Sequence, residues 1–328
     1  MAHFKAGSTY SRNSDSKTVF VTGGAGRVGR CLVRSLVEKG YTVRTLSETK
    51  DFMGRMPSGV IPYVGDINDR KMLDEAFDGV DTVFHLAAIV SEHRASTRDI
   101  MRVNVKGTAN VVEASISNKV PHIIFSSSVD VYGKDREDVL TEESRLAPTD
   151  KYGHSKALAE KEIERHSGKI RYTIMRTSAI YGSEFAASYF KMFRAVKEGK
   201  AYIIGNGSNH LSLVHIDDVV SAYMLAMESG TGTSGIYNIS DGVAYTQEQL
   251  LDLIADMLKV ERPARHISPL VVKLLAKRRN LDSDELRFIM SNRLVDISKA
   301  RRELGFKPKV DIAKGGAALI EEFLAKMK

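Results

Sequence analysis

Tyr152 and Lys156 lie four residues apart in the stretch Tyr152-Gly153-His154-Ser155-Lys156. On a helix that spacing sets both side chains on one face. A free tyrosine has a pKa of about 10 and is a poor base at neutral pH. A neighbouring ammonium favours the tyrosinate, which can then take a proton from a hydroxyl; the phenol can return one to a carbonyl oxygen. One Tyr-x-x-x-Lys is expected by chance in a chain with 12 tyrosines, so position must supply the specificity. The pair follows Phe125-Ser126-Ser127-Ser128, where three hydroxyls close the apolar run PHIIF at 121–125. If that run is a strand, ligand chemistry belongs at its carboxyl end, and a serine there can hydrogen-bond the oxygen on which the tyrosine acts.

A second constellation, TGGAGRVG at 22–29, supplies the partner for that proton step. It follows the apolar run KTVFV at 17–21 and opens a segment with Val28, Leu32, Val33, Leu36 and Val37 at helical spacing. In such a strand-to-helix turn Gly23 permits the bend, Gly26 lets the backbone approach a pyrophosphate, and Gly29 lets helix and strand pack closely. The helix N-terminus offers free N–H groups to the phosphates. Gly23, Gly26, Arg27, Val28 and Gly29 are therefore the expected contacts of a dinucleotide. Its nicotinamide would carry the hydride while Tyr152 moves the proton. At the end of the second strand, Ser47 and Glu48 fall where the adenosine ribose is read. Glu48 would repel a 2′-phosphate, so NAD is expected, with NADP left open.

Strands are predicted at 17–21, 41–46, 60–64, 81–86, 121–125 and 171–175, with helices at 27–39, 98–116 and 151–166. That alternation predicts an α/β fold, a parallel sheet covered on both faces. After residue 180 the pattern loosens, with helical stretches at 186–198, 217–227 and 247–258. An apolar helix is predicted over 267–277, with Ser268 as N-cap and Pro269 in its first turn. The expected organisation is a dinucleotide-binding core at 17–180. Residues 181–328 then form mostly a substrate cap, some of whose elements return to the core. Residues 1–16 are polar and read as a disordered tail.

The bulk composition is that of an ordinary globular chain of 328 residues. No apolar run is long enough to span a membrane. The single cysteine, Cys31, excludes an internal disulfide and fits a reducing, cytoplasmic setting. The net charge of +7 is concentrated from Lys259 onward, where 17 Lys and Arg face 9 Asp and Glu. No aromatic residue interleaves the basic run Lys277-Arg278-Arg279, which argues against a nucleic-acid surface.

With these motifs in place, the chain resembles the extended short-chain dehydrogenase/reductase superfamily, in its NAD-dependent epimerase/dehydratase branch. TGGAGRVG is followed in the family order by GDI at 65–67, HLAA at 85–88, NVKGT at 104–108 and SSSVDVYG at 126–133. YGHSK at 152–156, MRTSAIYG at 175–182, VHIDD at 214–218 and DISKARRELGFKP at 296–308 complete the series. The resemblance implies a doubly wound parallel sheet of Rossmann type with a smaller, mostly helical C-terminal substrate cap. It implies that Asp66 and Ile67 contact adenine, that Leu86, Ala87 and Ala88 line the cofactor, and that Asn104 shapes the site near the lysine. Ser128 matches the residue that holds the substrate oxygen, and Tyr152 and Lys156 match the catalytic pair. A homodimer acting on a small molecule is implied, with no metal. His215, Asp217 and Asp218 read as turn and capping residues.

Departures from the pattern bear on substrate. Nucleotide-sugar members usually carry a diphosphate-gripping arginine where this chain has Leu211, a loss that Arg287 or Arg293 could compensate. Thr177 replaces a usual proline. Asp130 falls where dehydratases carry a catalytic acid, but Val129 breaks their acidic pair. The 267–277 helix is open to two readings, an apolar lid over an apolar substrate or ordinary cap packing. The principal expectation is thus an oxidoreductase acting at a secondary alcohol or ketone. The first alternative is a nucleotide-sugar 4-epimerase using the same Tyr-Lys chemistry; the second is a non-catalytic dinucleotide-binding sensor.

Overall fold

The computed structural model describes residues 17–49, 54, 56–90, 95–229, 234–279 and 284–327. The tail at 1–16 lies outside them, as do the side chains of 276–285 and of 287, which include Lys277, Arg278, Arg279 and Arg287. The chain runs β1 (Thr18–Thr22), α1 (Arg27–Glu38), β2 (Thr42–Ser47), β3 (Ile61–Val64), α2 (Arg70–Ala76) and β4 (Thr82–His85). A continuous helix α3 follows, built from Thr97–Met101, a π-helical turn Arg102–Lys106 and Gly107–Ser117. Then come β5 (His122–Ser128), α4 (Lys151–Glu164), β6 (Arg171–Thr177), α5 (Ala186–Lys197), α6 (Ile216–Glu228) and β7 (Gly235–Ile239). Helices α7 (Gln247–Leu258), α8 (Pro269–Arg279), α9 (Asp284–Ile289), α10 (Ser298–Leu304) and α11 (Ile312–Met327) complete the chain, with short strands between several of them.

The first seven strands named form one parallel sheet in the order β7-β6-β5-β4-β1-β2-β3. Strand alternation shows why both faces must be covered. Val19 and Val21 of β1 and Ile124 of β5 point to the face that packs on α1 and α6. Phe20, Ile123 and Phe125 point to the face that packs on α2, α3 and α4. This is the doubly wound arrangement. The strand order reverses between β1 and β4, where Thr22 pairs in register with His85; in open α/β sheets a ligand binds at the carboxyl ends of such a switch point.

The late elements do two things. Strand β7 extends the sheet beyond β6, and α6 covers a sheet face. Helices α5, α7 and α11 close a separate apolar cluster around Phe193, Leu250, Ile254, Leu319 and Phe323. Leu211 is buried in that cluster. Helix α8 begins after Ser268, as its sequence predicts. Leu270 and Leu274 on it are 76% and 58% exposed, so these two side chains are not packed into the interior of the cap.

Beneath the sheet's carboxyl edge lies a buried ion pair. Arg176 of β6 meets Glu160 of α4 through Nη2–Oε2 at 2.8 Å and Nε–Oε1 at 3.1 Å, with side chains 3% and 0% exposed. Arg176 also donates to the Tyr132 hydroxyl and the Glu142 carbonyl, and Ser127 donates to Glu160. Removing one partner strands a desolvated charge. Arg176→Met is expected to lower unfolding stability by about 3–5 kcal/mol in chemical denaturation.

Candidate active site

The glycine turn after β1 is built as its spacing predicts. Gly23 takes φ of +69°, and a Cβ on Gly29 would stand 2.2 Å from the Gly23 carbonyl oxygen, so helix and strand touch backbone to backbone. Helix α1 then starts at Gly26 with no side-chain cap and no acidic residue in its first turn. Its first N–H groups are left for an anion, the provision a dinucleotide pyrophosphate needs. Val28 leans into the core. Arg27 reaches across to the segment after β6, with its guanidinium 4.5 Å from the Phe185 ring centre and 3.2 Å from Ser188 Oγ. Arg30 ties the same walls together through Glu184 at 2.6 Å.

The residues expected at the adenosine lie at the ends of β2 and β3. Ser47 closes β2 and accepts from the Gly65 amide; Glu48 is exposed beyond it. Asp66 accepts from Asn68 and, at 2.5 Å, from Arg102. Burial opposes ionisation of Asp66, but Asn68 and Arg102 outweigh it and hold its carboxyl below the ordinary range. Ile67 is buried against Gly107 of α3, so any cofactor contact it makes is through its backbone.

A hydrogen-bonded chain links the switch point between β1 and β4 to α4. Thr22 Oγ1 accepts from the amides of Leu86 and Ala87, so its own proton goes to His85 Nδ1 at 2.8 Å. His85 Nε2 therefore carries the ring proton and donates to Thr108 Oγ1 at 2.8 Å, which donates to the Asn104 carbonyl. Burial, and then the charge of Lys156, pushes His85 down to about 3, so the ring is neutral. Asn104, on the π turn, grips the Ile89 backbone at both its amide and carbonyl and donates to Ser155 Oγ. Ser155 donates in turn to the Tyr152 carbonyl. Asn104 thus spends its side chain on the protein, locking the 86–89 segment to α4; its influence on the site is through position. Ala88 lies half-buried in that segment.

Helix α4 is capped by Asp150, which accepts from the Gly153 amide at 2.7 Å. A Cβ on Gly153 would stand 2.5 Å from the Asp130 carbonyl oxygen, so only glycine lets the helix seat against the turn after β5. That seating brings α4 against the end of β5, with Lys156 on the Ser126 carbonyl and Tyr152 next to the residue that packs on the Asp130 backbone. Lys156 is 2% exposed; its Nζ donates to the Ser126 carbonyl at 2.7 Å and lies 5.8 Å from the Tyr152 ring centre. Burial pushes Lys156 down to about 7, with Glu160 opposing. Burial, joined by Asp130, Tyr223 and Asp150, pushes the Tyr152 phenol up. Turning Tyr152 into a base therefore calls for added positive charge, which an oxidised nicotinamide ring carries.

Ser128 Oγ donates to Asp130 Oδ2 at 2.9 Å, and Arg293 Nη1 meets Asp130 Oδ1 at 2.7 Å. Arg293 is thus spent on a carboxylate in this arrangement. Sequence reasoning named Thr22, His85, Thr108 and Ser155 only as parts of motifs. Their hydrogen-bonding roles depend on partners 23 to 65 positions apart along the chain. Among the described residues no cluster could hold a metal ion, and no helix is long and apolar enough to cross a membrane.

The sequence profile of the NAD dependent epimerase/dehydratase family matches residues 19–240. A 4-hydroxy-2-methyl-3-oxo-4-farnesyl-3,4-dihydroquinoline-1-oxide ketoreductase of Stigmatella aurantiaca is 28% identical, over 92% of this chain and 95% of its own. A UDP-glucose 4-epimerase of Vibrio cholerae is 27% identical, over 94% of this chain and 96% of its own. The crystal structure of a UDP-glucose 4-epimerase with UDP-glucose from Thermotoga maritima superposes with a TM-score of 0.77. It shares 26% identity over 95% of this chain and 100% of that one.

The neutral His85 has a direct consequence for stability. Its folded pKa, about 3, lies below the unfolded value of 6.5. The unfolded chain therefore binds the extra proton between those values, and stability falls as pH drops through that window. His85→Gln should flatten the dependence by about one proton, or about 1.4 kcal/mol per pH unit, in denaturation curves stepped across pH 4–6.

Proposed function

This chain belongs to the NAD dependent epimerase/dehydratase family, and we propose that within it the protein acts as a nucleotide-sugar 4-epimerase. The observation that carries the hydride step is the delivery of Tyr152 and Lys156, from one face of α4, to the strand end that bears Ser128. The likeness over the full chain to UDP-glucose 4-epimerases favours a cycle with no net redox change.

The glycine turn and residues 86–88 would hold NAD, which when bound would supply a reversible hydride acceptor. The protein's own residues do the rest. Tyr152 takes the proton of the sugar's 4-hydroxyl as the C4 hydride departs with its electron pair, leaving a ketone. Ser128 hydrogen-bonds that oxygen, and Lys156 supplies positive charge that favours tyrosinate. When the ketone presents its other face, the hydride returns to C4 and Tyr152 gives the proton back to oxygen. Atoms and electrons balance within one cycle, and configuration at C4 is inverted.

A second reading, net reduction of a ketone on an apolar molecule, is favoured by one residue. Leu211, at the place of the usual diphosphate arginine, is buried in the cap's apolar cluster and offers no charge to a phosphate. The ketoreductase likeness agrees with it.

Incubation with UDP-glucose and catalytic NAD should yield UDP-galactose with no accumulation of NADH, followed by chromatography and nicotinamide absorbance. Tyr152→Phe should lower kcat by about 10²–10⁴-fold while NAD binding persists. Stoichiometric consumption of NADH with a ketone, and no interconversion of the two sugars, would replace epimerisation with the reductase reading.

A further inference from the structure

We propose that Arg293 is a positioning residue for catalysis. By pairing with Asp130 it cancels a carboxylate that faces both Ser128 and Tyr152, and so governs when the phenol loses its proton and where the serine hydroxyl points. The inference rests on the acid/base use of Tyr152 proposed above.

The geometry is specific. Asp130 lies in the turn immediately after β5, and its two carboxylate oxygens are divided. Oδ1 accepts from Arg293 Nη1 at 2.7 Å, and Oδ2 accepts from Ser128 Oγ at 2.9 Å. The Asp130 amide also donates to Ser128 Oγ at 3.1 Å. The single proton of Ser128 is therefore committed to Asp130, and a substrate oxygen must draw it away. A freestanding carboxylate would hold that proton more tightly than one whose charge is shared with a guanidinium.

The same carboxylate bears on the phenol. Helix α4 seats Gly153 on the Asp130 backbone, which puts Tyr152 beside this turn. The charged and titratable groups around Tyr152 come from the turn after β5, the segment that follows it, the strand Asn292–Val295, α4 with its cap, and α6. They are Asp130 with its partner Arg293, Asp150 at the α4 cap with its partner Lys134, Lys156 within α4, and Tyr223 on α6. Each carboxylate in that set has a cation of its own. Without Arg293, Asp130 faces Tyr152 with less of its charge cancelled, and a nearby negative charge disfavours tyrosinate. Burial works against ionisation of Asp130, but Arg293, Lys134 and Ser128 overcome it and hold the carboxyl below its ordinary range.

Arg293 is held for this task by the C-terminal part of the chain. It lies on the strand Asn292–Val295, which pairs in parallel with Asp135–Leu140 and loses register between Asn292 and Leu294. Such an irregularity re-aims the side chain at that point. Asn292 accepts from the His210 amide, and the Arg293 carbonyl accepts from Ser212. The guanidinium is delivered from outside the dinucleotide-binding half, with its side chain only 9% exposed.

The test is the pH dependence of kcat/KM with NAD and UDP-glucose for the wild type and four variants: Asp130→Asn, Arg293→Gln, Arg293→Lys and the Asp130→Asn/Arg293→Gln double. Tyrosinate is the active form for oxidation, so activity rises with pH through the phenol's pKa. Arg293→Gln should move that acid limb up by about one pH unit, Asp130→Asn should move it down, and the double variant should fall back toward wild type. Arg293→Lys should stay within about half a unit of wild type. Equal limbs in all variants, with only kcat or melting temperature lowered, would reduce Arg293 to a structural role and overturn the proposal. So would shifts of the same sign in both single variants. If Arg293→Gln fails to fold, the direction of the Asp130→Asn shift decides. If the wild type turns over no UDP-glucose, the functional reading fails separately. The ordering is then read from the phenol itself, by ultraviolet titration of NAD-loaded protein against Tyr152→Phe, and the absence of opposite shifts overturns the inference.

Discussion

The buried pair of Glu160 and Arg176 is the constraint around which the catalytic edge is arranged. A guanidinium presents five N–H donors in a fixed plane, and in a site closed to water a donor left without an acceptor is costly. Arg176 directs Nε and Nη2 to Glu160 of α4, and Nη1 to Tyr132 of the turn after β5 and to the Glu142 carbonyl, so four of its five N–H groups have acceptors here. Tyr132 passes the bond on to Asn238 of β7, and Ser127 donates to Glu160 from β5. Three strands, a helix and two connecting segments therefore share one hydrogen-bonded centre. The proposed catalytic groups are its immediate neighbours: Ser128 follows Ser127, and Lys156 stands one helical turn before Glu160. Fixing the pair fixes the serine and the ammonium together.

The site is held from its other side by the chain that runs Thr22, His85, Thr108, Asn104, Ser155. From Thr22 to Thr108 each proton direction is set by the member before, starting from two backbone amides that Thr22 must accept; the Asn104 side chain is then oriented by the Ile89 backbone. The result is a neutral imidazole near a buried ammonium, an arrangement that adds no further positive charge beside Lys156. The π turn in α3 belongs to this chain. It is the point at which the helix departs from regular bonding and presents Asn104 to the 86–89 segment, and π turns of this kind recur at functional sites.

Much of this was legible in sequence because it is local. The glycine turn, the alternation of strands and helices, the start of α8 and the i, i+4 pairing of Tyr152 with Lys156 follow from rules that act over a few residues. The π turn was not legible, since 98–116 has unbroken helical character and the irregularity answers a tertiary demand. The partners of Asn104 were not legible either: the motif order placed the residue near the lysine, but its bonds go to Ile89 and Ser155. Ile67 was expected at adenine, and only packing against Gly107 reveals that its side chain faces the core. Arg293 is visible in the sequence as one of two arginines that could replace the cation missing at Leu211. That it pairs with Asp130, 163 residues earlier, depends on a strand pairing too far apart in the chain for any spacing rule.

The division of labour follows from where each part is encoded. The residues proposed for the proton and hydride step lie on β1, β4, β5 and α4, which meet at one sheet edge and are tied by two sets of buried bonds. The remainder of the substrate must be met by segments after β6, and there this chain departs from the pattern of its family. Leu211 has joined the apolar interior of the cap, and Arg293 has been turned toward the core. A diphosphate would then have to be held by the α1 side of the cleft, by backbone amides, or by Arg293 after it releases Asp130. The last of these couples substrate binding to chemistry, because release of Asp130 changes the charge seen by Tyr152 and the bond held by Ser128. An uncharged ketone would leave the Arg293–Asp130 pair intact. The state of that pair with substrate bound thus separates the two readings of the protein.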